Sequence, residues 1–261
     1  PYHNKFTPYR DATMGTCAYK CTNEHCLNGL DLAIKLGWYD YKTFDVVEYQ
    51  HYEKVENGDL NWTVPGKFIS FSGPLNVTDK YGSFTPDDYV PIFKKFGVTL
   101  VVRLNKPQYD KKKFTKNGIK HLDLYFLDGS TPPDHIVDQF LQAVEAEKGA
   151  IAIHCKAGLG RTGSLIALWV MKHIGFPPAD FIGWIRIARP GSILGPQQQY
   201  LNNMDEAMMK VGGAAKRAEL IKAFGDLSIS KTKTRDLTDA EKRVQAKGDT
   251  GQGERLTGAR R

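Results

Sequence analysis

Ten consecutive residues, His154-Cys155-Lys156-Ala157-Gly158-Leu159-Gly160-Arg161-Thr162-Gly163, bring together a nucleophile, a guanidinium, a hydroxyl and three glycines. Gly158 and Gly160 let a loop curl until successive backbone N–H groups point inward, which makes an anion nest. A helix that follows brings the positive end of its dipole to the same point. Cys155 opens this loop, in a field that favours a thiolate. Arg161, six residues on, can return over the loop and grip two phosphate oxygens, more tightly as they spread in a phosphoryl-transfer transition state. Thr162 can bond the Cys155 sulfur, and His154 can fix the cysteine from behind. The phosphate-binding set is therefore Lys156, Ala157, Gly158, Leu159, Gly160 and Arg161. A plainer reading makes Cys155 a small core hydrophobe ahead of a glycine turn. The co-occurrence of all these types at fixed offsets outweighs it.

Thiolate attack on a phosphoester expels an alkoxide that needs a proton. Asp128 lies 27 residues before Cys155, in a loop with Gly129 and Pro132. It can be that acid, or a turn residue or cap for a helix opening near Thr131; position alone favours the cap. Asp134 is a second candidate cap.

The elements that position these groups follow from periodicity. Residues 1–60 read as largely helical, with one helix over 24–36 presenting Leu27, Leu30 and Ile34 on one face, and another from after Thr43 to about Val55. Residues 61–66 read as a connector. Strand and helix then alternate: strands at 67–71, 98–104, 119–126 and 150–154, and helices at 112–117, 162–173, 178–188 and 196–210. A helix starting at Thr85-Pro86-Asp87-Asp88 follows the first strand, and one carrying Ile136, Phe140, Leu141 and Val144 precedes the last. This alternation predicts an α/β domain with a mainly parallel central sheet flanked by helices. From Val211 onward the composition predicts a basic, largely mobile tail, apart from patches such as 220–224 that dock.

The chain has 261 residues and a net charge of +7, unevenly placed. Residues 1–66 hold 6 Lys/Arg against 9 Asp/Glu, whereas residues 211–261 hold 12 against 7. That split excludes a uniform nucleic-acid-binding surface. The longest apolar stretch, 165–171, is far too short to span a membrane. Four cysteines, three of them clustered at Cys17, Cys21 and Cys26, suit a reducing, intracellular compartment, nucleus or cytoplasm. With His25 those three invite a zinc reading, but the spacing fits no common finger, and no metal or other cofactor is expected. No signal peptide opens the chain, and the absence of an initiating Met suggests a fragment.

The loop matches the H-C-x5-R-[ST]-G signature of cysteine-dependent protein tyrosine phosphatases. With Arg103-Leu104-Asn105, 126–132, Arg189-Pro190-Gly191-Ser192 and 195–199, it closely resembles the cell-division-cycle-fourteen family of mitotic-exit dual-specificity phosphatases. The resemblance implies the cysteine-phosphatase fold and two tandem domains. Residues 1–63 would then be the end of a non-catalytic first domain, 66–210 the catalytic domain and 211–261 the tail. It implies Cys155 as nucleophile, Asp128 as general acid and a glutamine beside the attacking water, for which Gln197 is the better match and Gln198 the second. It also implies phosphoprotein substrates, notably cyclin-dependent-kinase sites with phosphoserine-proline and nearby basic residues, and no membrane or nucleic-acid partner. Acids at the positions of Asp11, Gln50 and Glu53 line the relatives' substrate groove, so Gln50 is a departure. A phosphoinositide phosphatase and a non-catalytic phosphopeptide binder are the rivals. Lys156 favours the first, but Leu159 stands where such a loop has a second lysine; intact Cys155, Arg161 and Asp128 count against the second.

Overall fold

A five-stranded sheet organises the computed structural model, which describes residues 7–13, 17–78 and 82–224. The basic tail beyond Phe224, with Arg255, Arg260 and Arg261, lies outside the described residues. The strands are β1 (Leu60–Val64), β2 (Phe68–Phe71), β3 (Val98–Arg103), β4 (Lys120–Asp123) and β5 (Ala150–His154), in the order β1-β2-β5-β3-β4. Only the β1–β2 pair is antiparallel; β2–β5, β5–β3 and β3–β4 are parallel.

β5 lies centrally, every residue buried, with Phe68 opposite Ile151 on one side and Val101 opposite Ala152 on the other. Side chains of a strand alternate between faces. Ile151 and Ile153 accordingly join the larger core, with Phe68, Leu100 and Val102, and Ala150 and Ala152 join the smaller one, with Ile69, Phe71 and Val101. The larger core is closed by α5 (Asp134–Ala146), α6 (Gly160–His173), α7 (Pro178–Ala188) and α8 (Pro196–Met208). The smaller is closed by α3 (Pro86–Lys95) and α4 (Lys112–Thr115). At the start of α3, where a helix start is expected, the Asp88 carboxylate accepts the Thr85 N–H and hydroxyl, both at 2.8 Å, which makes a capping box.

Four expectations need correcting. Residues 61–66 are not a connector: β1 pairs with β2 through a turn closed by Lys67 N–H to Val64 O at 3.0 Å, with Gly66 at φ +76°. Pro-Gly at its centre is the type II pattern. The sheet thus begins at Leu60, ahead of the boundary expected at 63–66. In α1 (Asn23–Lys35), Leu27 and Ile34 are exposed, and the buried residues are Gly29, Leu32 and Ala33. The helix ahead of β5 starts at Asp134 itself with Pro133 at its cap, so neither Thr131 nor Asp134 caps it. Past Val211, where a largely mobile tail is expected, the chain is helical through α9 (Ala214–Phe224), while the docking expected of the patch 220–224 holds at Leu220, which is buried. α2 (Val46–Glu53) forms near its expected place.

The α1 finding has a steric cause. α1 crosses α7 where Gly29 faces the Asp180 carbonyl and Gly183 faces the His25 carbonyl, so the backbones touch. A Cβ at Gly183 would lie 2.4 Å from His25 O and 2.7 Å from Cys26 N. Gly183→Ala gains about 1 kcal/mol in helix propensity, whereas overpacking costs about 1–3 kcal/mol. The obstructing atoms are backbone, so overpacking wins, and urea unfolding should show net destabilisation; a stabilised variant would contradict this packing.

Candidate active site

β5 and α6 hold the ten-residue segment between them, at the carboxyl ends of the parallel strands where α/β sheets form their crevices. From Cys155 to Gly160 every carbonyl is claimed by a donor. Cys155 O accepts from His154 Nδ1 at 2.8 Å, and Lys156 O from Gly73 N–H at 2.9 Å and the Ser72 hydroxyl at 3.3 Å. Ala157 O and Gly158 O accept from Arg189 Nη2 and Nε at 2.9 and 2.8 Å. Leu159 O takes Gly163 N–H, and Gly160 O takes the Ser164 hydroxyl. Among the described residues no acceptor takes the N–H groups of Ala157, Gly158, Leu159 or Gly160. A backbone whose carbonyls all bond outward leaves its donors for an anion. Gly158, at φ +66°, has no alternative: a Cβ would lie 2.0 Å from Phe71 O.

Arg161 is buried in the first turn of α6, its Nη1 donating to Phe126 O at 2.9 Å and Leu104 O at 3.2 Å. Its Nη2 lies 3.2 Å from Asp128 Oδ1. The structure therefore brings Arg161 and Asp128 together at the mouth of the Cys155 loop. Gln197 joins them: Nε2 donates to Ser130 O at 3.0 Å, Oε1 accepts Leu194 N–H at 3.1 Å, and the amide lies against Gly160. Gln198 is turned elsewhere, between Asp11 and Arg186.

Other expected contacts differ. Thr162 is buried and its hydroxyl has no hydrogen-bond partner among the described residues, so the bond to the Cys155 sulfur is not made. The helix opens at Gly160 rather than Thr162, which draws that hydroxyl into the first turn. Asp11 is no groove wall, because it is buried and its oxygens face inward donors. Gln50 is exposed and Glu53 half-buried on α2, neither with a hydrogen bond or ion pair among the described residues. A separate cleft of about 570 Å³, lined by Trp38, Tyr39, Phe44, Tyr52 and Trp62, includes no residue of the Cys155 loop. Among the described residues no three His, Cys, Asp or Glu side chains converge as a metal group would, and no helix is long and apolar enough to cross a membrane.

Sequence reasoning missed two supports. Arg189 is buried and fills out its coordination with Asn61 Oδ1 at 2.7 Å and Asp59 Oδ1 at 3.1 Å. Behind the loop, Tyr109 OH sits 2.8 Å from both His154 Nε2 and His121 Nε2. Since His154 Nδ1 donates to Cys155 O, its neutral Nε2 must accept from Tyr109, whose oxygen then accepts from His121. Arg189 stands within the quoted Arg-Pro-Gly-Ser motif, but nothing local ties it or Tyr109 to a loop 30–45 residues away.

Burial pushes His154 down to about 3 and His121 down to about 4, with Arg103 lowering both further and Asp123 pulling His121 back up. Both stay neutral when folded but take a proton near pH 6.5 when unfolded. Their stabilisation is therefore complete above about pH 6.5 and lost as pH falls through their folded values. Asp180, pushed up to about 7 by burial, works in the opposite sense. The clean measure is thus a difference: between pH 6 and 5, wild type should lose about 1.4 kcal/mol per pH unit more than His121→Asn. Equal slopes in urea unfolding would contradict the buried neutral His121.

The family model described as "Polymorphic toxin system, DSP-PTPase phosphatase" matches residues 79–175. The human "Dual specificity protein phosphatase CDC14A" is 53% identical over 218 residues, 82% of this chain and 36% of its own length. The Danio rerio "Dual specificity protein phosphatase CDC14AB" is 46% identical over 96% of this chain and 44% of its own length. The "Tyrosine-protein phosphatase cdc-14" of Caenorhabditis elegans is 50% identical over 76% of this chain and 28% of its own length. The chain thus spans 28–44% of the length of these curated relatives. Along the residues it shares with them, it belongs to the CDC14 family.

Proposed function

We propose that this chain is a phosphoprotein phosphatase that works through a cysteinyl-phosphate without a metal. The observation that carries the proposal is the Cys155 loop, with its carbonyls bonded outward and four N–H groups left for an anion beside Arg161 and Asp128. A phosphate dianion seated there meets those N–H groups and the Arg161 guanidinium. The Cys155 thiolate attacks phosphorus and forms the P–S bond. As the P–O bond to the leaving group breaks, Asp128 gives that oxygen its proton. Water then attacks phosphorus while Asp128 takes its proton, the P–S bond breaks with its electron pair returning to sulfur, and inorganic phosphate leaves.

Substrates are proposed as proline-directed phosphoserine and phosphothreonine, with phosphotyrosine, in proteins of the cell cycle, which fits the relatives' names. Of the expected groove acids only Glu53 remains for a basic residue, since Gln50 is neutral and Asp11 is buried. Leu159 is buried at the loop, so no cation stands at that position for a phosphoinositide.

A phosphoserine-proline peptide and p-nitrophenyl phosphate, assayed in parallel, test the proposal. Cys155→Ser should abolish both activities. Asp128→Asn should slow the peptide by about 10²–10⁴-fold and the aryl phosphate far less, because only an alkoxide needs the proton. Equal losses would make Asp128 structural. Activity surviving in Cys155→Ser would remove the mechanism altogether.

A further inference from the structure

Asp11 lies 184 residues from Gly195 in sequence, yet its carboxylate holds the loop ahead of α8. Oδ2 accepts Gly195 N–H at 2.9 Å and Gln198 Nε2 at 2.6 Å. Oδ1 accepts Thr13 N–H at 3.0 Å and the Thr13 hydroxyl. Burial alone would push this carboxyl up, but the bonds from Thr13 and Gly195 outweigh it and hold it below its usual value. Gln198 turns its Oε1 to Arg186 Nη2 at 2.6 Å, and Arg186 also donates to Ser192 O and Ile193 O at 3.1 and 2.7 Å. Caught between an anion and a cation, the Gln198 amide has one favourable orientation. The loop of residues 192–198 is thus held from both ends. Its remaining amide, Gln197, is the one that reaches Ser130 and Gly160.

We propose that Asp11 is a positioning residue for the second chemical step: by fixing Gly195 and Gln198 it holds Gln197 where that amide orients the water that hydrolyses the cysteinyl-phosphate. This rests on the function proposed above. Asp11 exchanges no proton with substrate; Asp128 takes the water proton as the P–S bond breaks. Gly195 N–H and Gln198 Nε2 need an acceptor at this position, and an Asn could still supply one by turning its NH₂ to the Thr13 hydroxyl, which accepts as well as donates. Leucine, of similar size, removes the acceptor altogether.

The two steps separate kinetically. kcat/KM covers events up to formation of the cysteinyl-phosphate, whereas a slow hydrolysis limits kcat and lowers KM by the same factor. Stopped-flow with p-nitrophenyl phosphate is the test, on wild type, Asp11→Leu and Gln198→Leu, with thermal unfolding of each as a check on folding. For Asp11→Leu, kcat should fall by up to about 10²-fold, as a misplacement of about 1 Å does. KM should fall in step, leaving kcat/KM within about twofold of wild type. A burst of nitrophenolate, stoichiometric with enzyme, should appear. Gln198→Leu severs the same bond from the other side and should give the same split; it decides the question if Asp11→Leu does not fold. Parallel loss of kcat and kcat/KM without a burst, or no change in either, would overturn the proposal. A wild type without turnover would instead overturn the parent reading, and this one with it.

Discussion

The site depends on six consecutive carbonyls all facing away from its centre. A backbone in water has no reason to adopt that arrangement, and a loop so curved exposes donors that repel one another. Arg189 stabilises it by holding two adjacent carbonyls, Ala157 O and Gly158 O, from outside with one planar fork. A buried guanidinium is costly unless its charge and donors are matched. Asp59 supplies the charge and Asn61 a neutral acceptor. Both come from the region of β1, so the edge strand that looks dispensable in the sequence anchors the Cys155 loop. Trp184 Nε1, donating to Thr63 O at 3.0 Å, fastens that strand to α7, the helix that leads into Arg189.

How much of this could be read from the chain depended on where the information was local. β5, its loop and α6 are contiguous, so strand, nest and helix dipole were all legible in one segment. Asp128 was ambiguous on position, since a turn aspartate and a general acid look alike in sequence; what folding adds is its place 3.2 Å from Arg161. Arg189, Asn61 and Asp59 were illegible as a group: Arg189 lies 31 residues from Gly158, and Asn61 and Asp59 lie 128 and 130 residues from Arg189, so only folding brings them together. α1 misled for a different reason. Its Leu and Ile pattern suggested an apolar face, but the crossing is made where Gly29 and Gly183 meet the backbone of the other helix, and glycines carry no hydrophobic signal. Asp11 misled through its charge, since an acid in an acidic segment reads as solvated until its four donors are seen.

The N-terminal segment is therefore part of the site's support. α1 lies backbone to backbone on α7, and α7 carries Arg186 and ends at Arg189. Through Asp11, Gln198 and Arg186 the same segment reaches the loop that carries Gln197. Behind the nest, the neutral chain His154–Tyr109–His121 fixes the Cys155 carbonyl without placing a second cation near the anion site. Two buried arginines flank the loop with separate tasks, Arg161 facing Asp128 and Arg189 behind the carbonyls.

The central claim is that Arg189, which lies on the carbonyl side of the loop, sets the loop's affinity for an oxyanion. The most direct measurement is calorimetric binding of tungstate to Cys155→Ser, which leaves the loop amides and Arg161 in place, with and without Arg189→Lys. Lysine keeps the charge opposite Asp59 but cannot fork onto two carbonyls. The account predicts tungstate binding weaker by about tenfold, or about 1.4 kcal/mol, with the fold retained by thermal unfolding. Unchanged affinity in a folded Arg189→Lys variant would contradict it.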